Sequence, residues 1–99
     1  MNQKVHENLA TLVREERLRQ DKHWGEAANR DYTHTEWLAV LVEEVGEVSK
    51  AINEGEYYQV FEELIQVAAV ALAFAEAERV RSHREFSNPR EETIVRGPT

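Results

Sequence analysis

Cysteine is absent from this 99-residue chain, so a disulfide framework, a thiolate metal site and a cysteine nucleophile are all excluded. Glycine is scarce, with four residues standing singly, and no Gly-rich loop of the kind that cradles phosphates is present. Basic residues are outnumbered: 12 Lys and Arg stand against 19 Asp and Glu, a formal charge of −7. Phosphate backbones are held by basic surfaces, so no nucleic-acid polymer is expected as a partner. Small phosphorylated ligands are a different case, because a divalent metal can bridge acidic protein and acidic ligand. The most apolar run, Leu64 to Ala75, is 12 residues long and is broken by Gln66. A bilayer needs about 20, so no membrane span is expected. The opening residues Met-Asn-Gln-Lys-Val-His-Glu contain no apolar signal core, and a soluble, cytoplasmic protein is expected. His6, His23, His34 and His83 lack metal-ligand spacing such as His-Glu-x-x-His, and no Ser/His/Asp arrangement is visible.

What is present is helical periodicity. The length suits a single small domain in which partner subunits supply part of the burial. From about residue 2 to 20, Val5, Leu9, Leu12, Val13 and Leu18 suggest an apolar stripe on a first packing helix. Residues 21–34 lose the period and are expected to form a polar, aromatic loop. Thr33-His-Thr-Glu36 has the capping-box pattern, so a second helix should begin there and run to about Asn53, stopped at Asn-Glu-Gly55. A third helix is expected over 56–82, antiparallel to the second because the connecting turn is tight. Leu64–Ala75 is hydrophobic all round, and such a helix in a short chain is expected to be buried in an oligomer, its alanines permitting close approach. Residues 83–99 read as a loosely held tail, with one helical turn possible at Asn88-Pro89. The expected fold is therefore all-α: an antiparallel bundle of three main helices, completed by oligomerisation.

Inside this pattern three carboxylates, Glu43, Glu44 and Glu47, are set in an otherwise apolar helical run. At roughly 100° per residue, Leu38, Leu41, Val42, Val45, Val48 and Ile52 form one stripe, which Trp37, Val40 and Ala51 widen. Glu44 falls inside the widened stripe, Glu47 at its border, and Glu43 outside it near Lys50. An ionised carboxylate among aliphatic neighbours costs several kcal/mol unless a cation, hydrogen-bond donors or a metal meets it. Glu63 and Gln66 on the third helix share a face in the same way. Two facing helices would then surround one hollow with four oxygen-bearing side chains, a donor set suited to magnesium or manganese. Arg17, Arg19, Lys22, His23 and Trp24 offer either a stacking and cationic surface for a nucleotide or a solvated patch in which Trp24 caps the core. Lys50 either steadies a leaving group or pairs with Glu43 or Glu54.

A helix with Glu-Glu-x-x-Glu, a glycine turn and a following helix with Glu-x-x-Asp is the pattern of the MazG-like all-α nucleotide pyrophosphohydrolases. The chain resembles that family from about Gln20 to Glu76, through Lys22-His-Trp-Gly25, Trp37–Glu47 and Glu62–Ala69. The resemblance implies a helical homodimer or homotetramer that uses magnesium to hydrolyse nucleoside triphosphates to monophosphate and pyrophosphate. It implies Glu44, Glu47 and Glu63 as metal ligands, and Glu43 as the glutamate that orients or deprotonates water, with Glu47 as the other candidate base. Lys22, Trp24 and Lys50 are the expected substrate contacts. The chain departs from the pattern at Gln66, which stands where the family has aspartate. Its carbonyl oxygen can still ligate magnesium, but the cluster loses one negative charge. Two alternatives follow: a weakened module that binds nucleotide or metal, and a structural oligomer in which Arg14 or Arg17 meets Glu44.

Overall fold

The computed structural model describes residues 1–85, which are helical almost throughout. Three helices carry the fold: α1 (Gln3–Trp24), α2 (His34–Asn53) and α3 (Val60–Glu85). Single 3₁₀ turns at Ala27–Asn29 and Tyr57–Gln59 lie in the two connections. Helix α3 packs against both α1 and α2, and also against the first 3₁₀ turn. No helix among the described residues is long and apolar enough to cross a membrane.

The local signals of the sequence account for most of the boundaries. Thr33 caps α2 by accepting from the Glu36 N–H at 3.1 Å, and Glu36 accepts from the Thr33 N–H at 2.9 Å, completing the expected capping box. Helix α2 ends at Asn53, and Gly55, at φ +73°, turns the chain in a conformation that disfavours side chains. Helix α3 begins at Val60 rather than 56, because the 3₁₀ turn precedes it. It continues through Glu85, so residues 83–85 belong to helix and not to a tail. The rest of the expected tail, including the turn at Asn88-Pro89, lies outside the described residues.

Helix α1 departs further from expectation. It is capped by Asn2, whose side chain accepts from the Val5 N–H, and it runs on to Trp24 rather than stopping near Gln20. Lys22, His23 and Trp24 are thus in its last turn and not in a loop. Nothing in Asp-Lys-His-Trp breaks a helix, the Arg17–Asp21 pair at 3.0 Å supports it one turn apart, and Lys22 and His23 suit the negative end of the dipole. Gly25, at φ +87°, ends it.

The core is thin. Ala27, Trp37, Ala51, Ala69, Val70 and Ala73 are its buried apolar residues among those described. Trp37 stacks on Phe74 with centroids 5.7 Å apart and planes 11° from parallel. The apolar stripe of α2 is turned away from its own chain: Leu38, Val42, Val45 and Ile52 are about half exposed, as are Phe61, Leu64 and Leu72 of α3. On α1, Val5 and Leu18 are exposed, while the buried residues are Arg17 and Gln20.

Polar links tie these helices together. Arg17 donates to Glu76 of α3 through Nε at 2.9 Å and Nη2 at 2.8 Å, and to Asp21 at 3.0 and 3.3 Å. At the other end His34 Nε2 lies 2.6 Å from Glu78, which Arg81 also binds. The hydrogen bond from Arg81, and then that with His34, hold the Glu78 carboxyl below its usual range against a contribution from burial.

Candidate active site

The inward face of α2 carries Trp37, Glu44 and Ala51, seven residues apart, so Glu44 lies on the same line as two buried residues. Glu44 itself is half-buried. Burial pushes its carboxyl above the usual range, and the negative charges of Glu63, Glu47, Glu43 and Glu16 push it further the same way. No cation contributes. Arg17 is taken by Glu76 and Asp21, and Arg14 is exposed, so neither arginine of the structural alternative meets Glu44.

Glu16 is a member of this cluster that sequence reasoning missed. It sits on the face of α1 that carries Leu9, Leu12 and Gln20, and its side chain is only 11% exposed. Burial tends to raise its carboxyl, but Arg19 outweighs that, and donations from Gln66 and Gln20 help hold it below the usual range. Arg19 Nε donates to it at 2.9 Å and Gln20 Nε2 at 3.3 Å. The signal was available: an acidic residue on an apolar stripe, as at Glu44.

Glu16 of α1 and Gln66 of α3 lie near Glu44 of α2, close enough for their charges and dipoles to bear on one another. Of the two ends of the Gln66 amide only the carbonyl oxygen can act as a ligand, since the nitrogen only donates. Residues from three helices therefore gather at one place. They are not closed into a cage: among the described residues no three His, Cys, Asp or Glu side chains stand close enough to hold a metal ion as they lie. Oxygen donors and unrelieved negative charge fit a hard divalent cation, and side-chain rotation would be needed to bring the ligands in.

Glu43, Glu44 and Gln66 line a cavity of about 480 Å³ between α1, α2 and α3. Arg19, His23 and Arg30 bring cationic or protonatable groups to it, and Trp24, Tyr32 and Trp37 bring aromatic faces. Trp24 is 62% exposed and edge-on to His23 at 4.4 Å, so it stands at the mouth of this cavity and does not cap the core. Glu47 and Glu63 are felt at Glu44 but do not line the cavity, and neither do Lys22 and Lys50, which are exposed. Arg30 and Tyr32 are further members that sequence reasoning missed. A larger hollow of about 640 Å³ opens along the outer end of α3 near Leu72, Glu76, Glu78 and Val80, and none of Glu43, Glu44, Glu47 and Glu63 lines it.

The electrostatics carry a stability prediction. A carboxyl whose folded pKa exceeds its unfolded value opposes folding at neutral pH and ceases to do so as pH falls through the folded value. Glu44→Gln is expected to raise the melting temperature of the metal-free protein at pH 7 by roughly 2–4 °C, about 0.5 kcal/mol of relieved burial cost and like-charge repulsion after solvent screening. The gain should vanish in acid, once Glu44 of the parent is protonated. Thermal melts in chelator across pH measure this, and a lowered melting temperature at pH 7 would mean that Glu44 has a favourable partner.

Comparison with known proteins adds nothing to this geometry: no family model, no curated protein and no solved structure matches the chain.

Proposed function

We propose that the chain is a magnesium-dependent nucleoside triphosphate pyrophosphohydrolase of the MazG-like kind, acting in the cytoplasm. The observation that carries this is Glu44: half-buried, surrounded by four other carboxylates, met by no cation, and set in the wall of an aromatic and cationic cavity. Glu44, Glu47 and Glu63 would hold magnesium or manganese, with the Gln66 carbonyl oxygen as a neutral fourth group. Bound there, the ion would supply charge neutralisation for the triphosphate and a more acidic water.

The remaining work falls to side chains. Glu43, exposed at the cavity, accepts the proton of the attacking water, with Glu47 as the other base within the cluster. Attack at the α-phosphorus breaks its bond to the bridging oxygen and releases pyrophosphate, which Lys50 and Arg19 steady by charge. Trp24 offers its exposed face to the base, with Lys22 beside it on the last turn of α1.

The working form is a homodimer or homotetramer in which α2 and α3 run antiparallel and share a second copy. Leu38, Val42, Val45 and Ile52 repeat at the spacing of a coiled-coil seam, and half of each is left uncovered by its own chain. An apolar hollow of about 310 Å³ between Val45, Ile52, Leu64 and Val67 continues that seam.

Incubation with canonical and modified nucleoside triphosphates, with and without magnesium, is expected to release pyrophosphate only with the metal. No release from any of them would sink the hydrolase assignment. Binding without turnover is the second possibility, favoured by Gln66, which stands where the family pattern has a carboxylate. Gln66→Asp separates the two. It adds a charge at the cluster, and metal affinity is expected to rise on the order of tenfold by calorimetry. Weaker metal binding in Gln66→Asp would mean that position 66 does not face the ion.

A further inference from the structure

Among the described residues two arginines line the cavity between the three helices, Arg19 and Arg30, and they are held in opposite ways. Arg30 is packed away: it lies over Trp37 at 5.5 Å and Tyr32 at 6.0 Å, its Nε donates to the Gly25 carbonyl at 3.0 Å, and its side chain is only 11% exposed. Arg19 is turned outward, 64% exposed, yet it is fixed. Its Nε donates to Glu16 Oε1 at 2.9 Å and its Nη2 to Glu16 Oε2, the paired geometry in which a guanidinium meets a carboxylate along one edge. Its Nη1 has no hydrogen-bond partner among the described residues.

A pair three residues apart on a helix surface ordinarily leaves both partners in water and contributes little. The Arg81–Glu78 pair of α3 is of that kind, its side chains 48% and 39% exposed. At Glu16 the acid is covered and the guanidinium is not: Glu16 is 11% exposed, and the buried Gln20 donates to its Oε2 at 3.3 Å. A carboxylate so placed bears a desolvation cost that one exposed partner does not repay. What the arrangement provides is a guanidinium already ordered at the cavity, with one edge engaged and the other open.

Glu16 stands close enough to Glu44 for its charge to act there, so Arg19 belongs to the carboxylate end of the cavity. The aromatic end is fixed separately: Gly25, next to Trp24, is bonded to Arg30, which lies over Trp37. Along α1, Arg19 and Trp24 are separated by about 7.5 Å of helix rise, and along α2, Glu44 and Trp37 by about 10.5 Å. Resting on the nucleotide assignment above, we infer that Glu16 is a positioning residue: it holds Arg19 along one edge so that the open edge of the guanidinium receives a phosphate group of the nucleotide. The carboxylate cancels the charge of the arginine, so the grip works by directed hydrogen bonds more than by net charge.

The sign of the effect separates this role from simple electrostatics. Deleting a negative charge near an anionic ligand should tighten binding, whereas deleting the support of Arg19 should weaken it. The test titrates the α,β-imido analogues of ATP, GTP, CTP and UTP, with magnesium in excess, into the full chain by calorimetry and follows the tightest. Arg19→Ala is expected to bind it roughly 30-fold more weakly and Glu16→Ala roughly tenfold. The double variant should bind no more weakly than Arg19→Ala alone, because Glu16 then has nothing to position. Glu16→Gln, which keeps one acceptor oxygen and the side-chain volume, should lose roughly threefold and takes the place of Glu16→Ala if circular dichroism shows that variant unfolded. Magnesium alone should bind the parent and the Glu16 variant within about threefold of each other. Unchanged or tighter analogue binding in the Glu16 variant that folds, a further loss in the double variant, or a larger change in magnesium affinity overturns the role of Glu16 and leaves the hydrolase assignment standing. The expected losses without pyrophosphate release from hydrolysable nucleotides do the reverse. No binding of any analogue by the parent overturns both.

Discussion

Arg17→Ala is expected to lower the melting temperature by roughly 8–16 °C, equivalent to about 2 kcal/mol in a domain of this size. The guanidinium is 5% exposed and makes paired hydrogen bonds to both Glu76 and Asp21, so it fastens α1 to α3 and ties the last turns of α1 together. Removing one member of a fully buried pair costs about 3–5 kcal/mol, because the other charge is stranded. Here Glu76 is 42% and Asp21 26% exposed, and water takes up part of their charge, which sets the lower figure. The buried face of α1 is otherwise only half-apolar, with Leu9, Leu12 and Val13 incompletely covered, so little else compensates. Thermal melts of Arg17→Ala and Arg17→Met measure the effect, and the methionine variant, which keeps most of the apolar stem, should recover a minor part of the loss. A drop below about 1 °C would mean that α1 is held by its apolar contacts and that the ion pairs are incidental.

Arg17 also marks where the sequence ceases to be legible. Its partner Glu76 is 59 residues away, and neither residue advertises the other. Local signals did better. Thr33, Glu36 and Gly55 carry their structural role within a few residues, and the bounds of α2 follow from them. At the end of α1 the apolar period stops at about Gln20 while the helix does not, because charged neighbours and the absence of a breaker sustain it until Gly25. The most apolar line of α2, Leu38, Val42, Val45 and Ile52, stays half exposed, and the face that meets its own chain carries Trp37, Glu44 and Ala51. Hydrophobicity records that a surface is to be covered and not by which chain. Glu44 is legible from its buried neighbours Trp37 and Ala51, and Glu16 is legible by the same rule, though more faintly, from the shorter stripe of Leu9 and Leu12 on α1. Arg30 lay beyond reach for another reason: its place over Trp37 and Tyr32 comes from the Ala27–Asn29 turn, and no pattern of residue types encodes that packing.

Glu47→Gln is expected to reduce pyrophosphate release at least about 100-fold, the largest functional effect among the cluster variants. Glu47 is exposed, so amide for carboxylate at this position removes charge without opening a cavity, and the fold should persist. Its charge acts on Glu44 in the metal-free protein, and losing it should bring the Glu44 carboxyl back toward its ordinary range. Two contributions would disappear together. A neutral amide is a poorer ligand for a hard cation, and it cannot take a proton from water. Raising magnesium distinguishes them: if Glu47 serves chiefly as ligand, high metal restores much of the rate, whereas loss of a base persists at saturation. Glu54→Gln, an equally exposed change just past the end of α2, should leave the rate within about twofold and controls for net charge. The double variant Glu44→Gln/Glu47→Gln should fall little further than Glu47→Gln alone, since groups that act as one unit lose their effect together. A rate unchanged in Glu47→Gln would remove that residue from the site and leave Glu43 to provide the base, with the ion held by Glu44, Glu63 and Gln66 alone.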